Sequence, residues 1–354
     1  MIARKRIIIS GYYGFSNMGD EAVLSAIVAG LREHSKKDIE ITVISGAPKE
    51  TQLQHGVRAL SRRSIAEVLA AIRESDLVIS GGGSLIQDAT SFRSLLYYLW
   101  VIMQAQRFRR KVMILGQGIG PLRRKISCIL ARRVLDRVDI IAVRDPDSAN
   151  LLKKIGVARP PIYVTADPAF LLKAEPTEQF EGDIITFALR EWREAPWVEQ
   201  YAIESLKQLS KELPAKIFLM AMHTPGDLEM ASRIGRQVGD SVIVQKENLM
   251  PEKLLGIICA SKMVVSMRLH ALIFAAASGI PMLGITYDPK VESFLKSVGQ
   301  ENMSLEDLKS GKLPRRVLDT WHKRDVLSAQ LAEKVPAIKD AAKENIRLAL
   351  ELLE

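Results

Sequence analysis

Arg268 and His270 stand two residues apart, directly after the apolar run KMVVS (262–266) and directly before the apolar stretch ALIFAAASGIP (271–281). A guanidinium is a two-pronged donor for phosphate or carboxylate, and an imidazole can transfer a proton near neutral pH. Side by side they could bind an anion and protonate it. Arg144, followed by Asp145, closes the apolar run DIIAV, and Arg190 closes DIITFAL. Three guanidinium groups at strand ends would suit a small, highly charged anion. The plainer alternative is that Arg268 pairs with a structural acid and His270 is a hydrogen-bonded core residue.

Three glycine-rich turns also follow apolar runs: Gly11 to Gly19, Gly81 to Gly83, and Gly116 to Gly120. Glycine lets a backbone approach a ligand, and a helix starting just afterwards offers its free N–H groups to it. None of the three has the phosphate-loop form ending in Gly-Lys-Ser/Thr, and none is a dinucleotide fingerprint with its acid at the right distance. Asn17, Asp20 and Glu21 crowd the first turn, where Asp20 could cap a helix beginning at that residue. Asn17, Asp20, Gly82, Gly83 and Asp88 are candidates for substrate contact, as is Arg190.

These residues need a frame, and the pattern supplies one. RIIIS, IEITVIS, DLVIS, KVMILG, DIIAV and PIYVTA are short apolar runs separated mostly by helical stretches, as in a buried parallel sheet. A second series begins with DIITFAL and continues through KIFLMAM, SVIVQ, KMVVSM and IPMLGI. The expected class is α/β, with two Rossmann-like doubly wound domains and a cleft between them. The expected division is 1–172, a linker over 173–182, a second domain over 183–313, and C-terminal helices over 314–354 that brace the two domains.

The 354 residues, 47% hydrophobic and 26% charged, suffice for two cores. The net charge of +9 favours an anionic partner without choosing among nucleic acid, membrane and phosphorylated substrate. MIARKRIIIS lacks the apolar core and cleavage site of a signal peptide, so a cytoplasmic location is expected. Cys128 and Cys259 stand alone and read as reduced packing residues, and the five histidines have no zinc spacing. No metal or cofactor is expected, with a loosely held Mg²⁺ left open. LLYYLWVIMQA (95–105) is too short to span a bilayer and is followed by QRFRRK and by more cations at 123–125 and 132–133. It reads as a buried helix, or else as a face that meets anionic lipid.

In combination, GYYGFSNMGDEAVL, GGGSLIQD, GQGIGP, VRDPDS, ADPA and SMRLHA resemble the polysaccharide pyruvyl transferase family, most closely its CsaB type, over nearly the whole chain and in order. The resemblance implies a GT-B-like fold and transfer of an enolpyruvyl group from phosphoenolpyruvate to a sugar, with release of phosphate. For that type the acceptor is N-acetylmannosamine of an undecaprenyl-diphosphate-linked precursor of a secondary cell-wall polymer. It is ketalised at positions 4 and 6, and the polymer anchors surface-layer proteins. Arg268 and His270 match the family's RLH element and Arg144 its VRD arginine. Phosphoenolpyruvate carries a phosphate and a carboxylate, and its methylene carbon must gain a proton, so Arg144 and Arg268 would bind the anionic groups and His270 would supply the proton. Peripheral contact with the inner face of the membrane fits such an acceptor, and nucleic acid is not an expected partner. The alternatives are a nucleotide-sugar glycosyltransferase of the same build and a non-catalytic basic protein that docks on membrane or nucleic acid.

Overall fold

A computed structural model describes residues 4–177 and 180–354. Positions 1–3, at the start of the segment read for a signal peptide, and positions 178 and 179 of the expected linker lie outside the described residues. The chain divides into two compact units. The first comprises the chain up to Phe15, Asp20–Leu172 and Ile338–Glu354; the second comprises Ser16–Gly19 and Lys173–Ala337.

In the first unit seven strands form one parallel sheet: β1 (Lys5–Ser10), β2 (Ile39–Ser45), β3 (Arg58–Ser61), β4 (Leu77–Gly81), β5 (Lys111–Gln117), β6 (Ile140–Val143) and β7 (Ile162–Val164). Their spatial order is β3-β2-β1-β4-β5-β6-β7. Six helices alternate with them: α1 (Met18–His34), α2 (Pro48–His55), α3 (Ile65–Glu74), α4 (Phe92–Arg107), α5 (Lys125–Leu135) and α6 (Pro146–Ile155). The order reverses between β1 and β4, which opens a crevice at their carboxyl ends. The central strands are apolar because helices cover both faces: every residue of β4 and of β6 is buried. Helix ends follow local rules. Asp145 caps α6 by accepting the Ser148 N–H at 2.7 Å, Pro146 fills the first turn, and Gly156 closes the helix with φ +88°.

The second unit repeats the plan with β8 (Ile184–Ala188), β9 (Lys216–Leu219), β10 (Val242–Val244), β11 (Met263–Ser266), β12 (Met282–Thr286) and β13 (Glu301–Ser304). They run parallel in the order β10-β9-β8-β11-β12-β13, and the reversal lies between β8 and β11. The helices here are α7 (Val198–Glu212), α8 (Gly226–Val238), α9 (Pro251–Ala260), α10 (Leu269–Ala277), α11 (Pro289–Val298), α12 (Leu305–Lys309) and α13 (Leu313–His322). Ile185, Phe187, Ile217, Val265 and Leu283 from the strands pack with Leu206 of α7 and Val317 of α13 in its core. The expected α/β class with two doubly wound Rossmann-like sheets is the fold observed. Two strands, β3 and β13, add to the sheets what the apolar pattern does not announce.

The last helix, α14 (Arg324–Leu353), is a single run of 30 residues with Pro336 inside it. Its first part belongs to the second unit, where Ser328 donates to the Gly279 carbonyl at 2.8 Å. Its last part belongs to the first unit, where the fully buried Asn345 accepts the Thr165 hydroxyl at 2.9 Å and donates to the Ala166 carbonyl at 2.9 Å. A buried amide that satisfies a loop carbonyl and a hydroxyl cannot be truncated without leaving them desolvated. Asn345→Ala should therefore cost about 1–3 kcal/mol of stability. Thermal unfolding checks this, and an unchanged melting temperature would show that the amide contributes nothing net.

Candidate active site

The carboxyl edge of the first unit is built from turns that hold one another. Tyr13 is buried, and its hydroxyl donates to the Gly81 carbonyl at 2.6 Å. Burial and then the Asp20 carboxylate push the pKa of this phenol far up, so it remains a donor. Gly82 donates to the Leu115 carbonyl and Gly118 to the Gly83 carbonyl, each at 2.9 Å. Gly82 and Gly83 both have positive φ, and a Cβ on Gly83 would lie 2.5 Å from Oδ1 of Asp20. Glycine is required there because Asp20, itself buried, sits against that backbone. Glu21 accepts the Gly14 N–H at 2.7 Å and meets Nε2 of His55 at 3.2 Å, a buried pair that anchors the first turn. At the ends of β1 and β5, Oγ of Ser10 and Oε1 of Gln117 are buried with no hydrogen-bond partner among the described residues. Such atoms at a strand edge mark a place for water or a polar ligand.

Arg144 follows β6 on the same edge. Its Nη1 donates to Asp167 at 2.6 Å and its Nη2 to the Ser84 hydroxyl at 3.3 Å. Only 9% of the Arg144 side chain and 3% of the Asp167 side chain are exposed. Asp167, from the ADPA segment, also caps the 3₁₀ turn Pro168–Leu171 by accepting the Ala169 N–H at 3.0 Å. Asp88 accepts the N–H groups of Arg123 and Arg124 at 2.7 and 3.0 Å. Burial alone would raise its pKa, but those N–H groups, the nearby Ser127 hydroxyl and the Arg124 cation outweigh it and hold the carboxyl below the usual range.

The carboxyl edge of the second unit carries the denser cluster. Arg268 sits at the N-terminus of α10, just after β11, with its own N–H bound to the Ser266 hydroxyl at 2.8 Å. Its guanidinium grips the buried Asp227 with both Nε, at 2.8 Å, and Nη2. Nη1 makes no hydrogen bond among the described residues. Asp227 lies in the first turn of α8 and accepts the Met222 N–H at 3.2 Å, so the loop after β9 is fixed by the same carboxylate. That loop carries His223. Burial lowers the His223 pKa first, Arg268 and Arg190 lower it further, and Asp227 opposes them, leaving it below the ordinary 6.5.

Ser16–Gly19 belongs to this cluster. Asn17 forms a backbone bridge with His223, and Met18 donates to the Met222 carbonyl at 2.9 Å. A Cβ on Gly19 would overlap the imidazole of His270, so the ring lies directly against the backbone of the first glycine turn. Arg190, two residues past β8, donates to the Tyr287 hydroxyl at 3.0 Å and lies over the rings of Trp192 and Tyr287 at 5.1 and 5.2 Å. Among the described residues it pairs with no carboxylate.

Several sequence-based assignments change. Arg144 and Arg268, expected to hold substrate anions, are each tied to a buried acid; Arg268 keeps Nη1 for a ligand, while Arg144 binds Asp167 and Ser84. Asp88, expected to face substrate, has both carboxylate oxygens committed to backbone N–H groups. The first helix starts at Met18 rather than at Asp20, and Asn17 caps it, its Oδ1 accepting the Gly19 N–H at 3.3 Å. His223, Asp227 and Asp167 were missed. The sequence signal for His223 was its place at the end of KIFLMAM, ahead of the turn TPGD. Among the described residues no group of three or more His, Cys, Asp or Glu is placed to hold a metal ion.

Residues 17–289 match the sequence profile of the family described as polysaccharide pyruvyl transferase, a span that contains every residue of both edges named above except Ser10, Tyr13, Gly14 and Ser16. The amylovoran biosynthesis protein AmsJ of Erwinia amylovora is 21% identical over 93% of this chain and 95% of its own. Among solved structures, a putative UDP-N-acetylglucosamine 2-epimerase from Listeria monocytogenes superposes with a TM-score of 0.69 at 13% identity, over 96% of this chain and 94% of that one. The UDP complex of MnaA from S. aureus gives 0.68 at 12% identity, with coverages of 96% and 94%. Anabaena HepE bound to UDP-glucose gives 0.64 at 12%, with coverages of 98% and 99%. At such identities these structures bear on the fold alone, which is GT-B-like.

The histidine cluster makes a sharp expectation. Arg190→Gln removes a cation that disfavours protonation of His223, so the His223 pKa should rise toward 6.5. The unfolded chain binds that proton more tightly than the native one, so the associated stability is present above pH 6.5 and is lost as the pH falls below it. An NMR titration of the His223 ring reads the shift directly; a midpoint that does not move would remove Arg190 from its surroundings.

Proposed function

The chain belongs to the polysaccharide pyruvyl transferase family and is a pyruvyltransferase, and we propose that phosphoenolpyruvate is held and protonated at the carboxyl edge of the second unit. The observation that carries this reading is the cluster of Arg190, Arg268, His223 and His270 at one strand-order reversal, inside the span that matches the family. Doubly wound sheets bind ligands at such reversals. Arg190, free of carboxylates, takes one anionic group of the donor; Nη1 of Arg268, aimed by the Asp227 pair, takes the other. A cation fixed in advance costs no reorganisation when charge develops.

His270 supplies the proton that turns the methylene carbon into a methyl group. As that carbon gains its proton, a sugar hydroxyl bonds to the neighbouring carbon, and its own proton passes to His223, which its surroundings keep neutral. The resulting tetrahedral centre carries both the sugar oxygen and the phosphate. Phosphate leaves with its bonding electron pair and takes up the proton held by His223, and a second hydroxyl of the same sugar closes the cyclic ketal as its own proton passes to His270, which gave one up in the first step. That closure is favoured because the second hydroxyl is already held beside the reacting carbon. Arg144 acts indirectly, tying the ADPA segment, through Asp167, to the residue after the second glycine turn, Ser84.

In this reading the acceptor is N-acetylmannosamine, ketalised at positions 4 and 6, in an undecaprenyl-diphosphate-linked precursor of the polymer that anchors surface-layer proteins. The support is the CsaB-type resemblance of the motif series from GYYGFSNMGDEAVL to SMRLHA. The chain works in the cytoplasm at the inner face of the membrane and needs no cofactor. Among the described residues no helix is long and apolar enough to cross a bilayer. The UDP-glucose bound by Anabaena HepE favours one competing reading, a nucleotide-sugar transferase of the same fold.

Incubation with phosphoenolpyruvate and a synthetic lipid-diphosphate disaccharide ending in N-acetylmannosamine should release phosphate and add the mass of a pyruvate ketal. His270→Gln should lower kcat by about 10²–10⁴ with the fold intact. Arg190→Ala should raise KM for phosphoenolpyruvate by about 10- to 100-fold, the worth of a charge-assisted hydrogen bond. Transfer from a UDP-sugar with phosphoenolpyruvate inert would replace this reading by its competitor.

A further inference from the structure

The net charge of +9 is not distributed over the molecule. From 89 to 135 the chain carries ten Lys or Arg and no Asp or Glu, so the remainder, with 40 basic and 41 acidic side chains, is within one charge of neutral. The segment comprises α4, β5 and α5 of the first unit. Among the described residues none of its ten cations forms an ion pair with a carboxylate. The chemistry proposed above uses none of them.

The same helices expose apolar side chains. On α4 the positions Arg93, Leu96, Trp100, Met103 and Arg107 recur at spacings of three and four and so share one face. Leu96 is 39% and Met103 49% exposed, and both arginines are exposed. On α5, which packs beside α4, Ile126 is 48% and Ile129 59% exposed, flanked by the exposed Lys125, Arg132 and Arg133. The two helices thus present aliphatic side chains bordered by cations and no acids.

The end of α4 adds a built pocket of about 540 Å³, lined by Met103, Arg107, Arg109, Arg110, Lys111 and Arg137 among others. Asp139 also lines it, with its Oδ2 bound to the Val112 N–H at 2.7 Å. The helix closes with the Arg110 N–H bonded to the Ala105 carbonyl at 2.9 Å, and Arg109 takes the left-handed position at φ +55°. Glycine is favoured at that position, so the sequence keeps a cation there against the backbone preference. Nε of Arg110 is buried with no hydrogen-bond partner among the described residues. Lys111 opens β5 and Asp139 precedes β6, so the pocket lies at the amino edge of the sheet, away from the glycine turns.

We propose that the outer face of α4 and α5, with the cationic pocket at the end of α4, docks this chain on a bilayer of anionic phospholipid. Leu96, Met103, Ile126 and Ile129 enter the acyl boundary, the surrounding cations meet the charged surface, and the pocket takes a headgroup phosphate. A second copy of the chain fits poorly, since the face would meet its own positive charge. The docking deepens the lipid-linked acceptor reading by naming the surface that holds the chain beside such an acceptor, yet it is measurable without turnover.

The full chain is sedimented with vesicles of phosphatidylcholine alone or containing phosphatidylglycerol. Binding should be at least about ten-fold tighter to the anionic vesicles and should weaken as salt is raised. Ile126→Gln with Ile129→Gln should weaken it by about ten-fold or more, the loss of two buried aliphatic chains. Arg109→Gly relieves the backbone, so it should melt no lower than the parent, yet it should bind about five-fold more weakly for want of one cation. Both variants should turn over a water-soluble acceptor at the parent rate, which separates failure of docking from failure of the transferase reading. Equal or absent binding to the two vesicle types would overturn the proposal, as would variants that bind like the parent. Tighter binding to duplex RNA than to anionic vesicles, unaffected by the isoleucine substitutions, would transfer the face to nucleic acid.

Discussion

A buried carboxylate paired with a guanidinium stands at the carboxyl edge of each sheet: Asp167 under Arg144 in the first unit and Asp227 under Arg268 in the second. Taking both charges out of water is costly and is offset only by close geometry and further hydrogen bonds. Each acid therefore does a second task. Asp167 caps the turn at Pro168, and Asp227 binds the Met222 N–H and so fixes the loop that bears His223. Removing Asp227 would leave the Arg268 cation unpaired, whereas without Asp167 Arg144 would keep only Asp145 at 4.0 Å, and either loss would release a turn. The edges are held by these pairs more than by the glycines, which only allow the backbones to come close enough for them to form.

The sheets were legible because parallel strands covered on both faces must be apolar, and β1, β4, β5, β8 and β11 are. Strands β3 and β13 were not, because each lies at the rim of its sheet and buries only one residue of four. RALS and ENMS have no apolar run to detect. The same logic governs the site. That Arg268 and His270 sit at a strand end could be read from adjacent residues. That Arg268 pairs with Asp227 could not, since the partners are 41 residues apart and meet only through the parallel packing of β8, β9 and β11. Asn17 and Asp20 show the limit locally: both types cap helices, and the choice fell to the residue whose backbone is already bound to the loop after β9.

His223 was missed for a related reason. A histidine after KIFLMAM has no partner nearby in sequence, and what gives it meaning is the charge around it: Arg268 from one strand end, Arg190 from another, and Asp227 from its own loop. Gly19 is a similar case. Its need to be glycine comes from the His270 ring, some 250 positions away in the chain, and not from its own turn geometry. Residues that act through shape are thus found late, whereas residues that carry charge at strand ends are found early and then reassigned.

The charge distribution separates two tasks that composition alone merges. An excess of +9 suggested an anionic partner, and a small anion at the second edge is one candidate. Yet at that edge Asp227 offsets Arg268, and among the described residues Arg190 pairs with no carboxylate, an arrangement that suits a compact anion, which needs aimed donors and not a large field. The surplus lies instead on α4, α5 and the turns beside them, where it forms an extended face with aliphatic side chains between the cations. Long-range attraction is strongest for a partner that is itself extended and charged, such as a bilayer surface. On the docking and the function proposed above, net charge in this chain describes where the protein is drawn, and the paired charges at the strand ends describe what it does there.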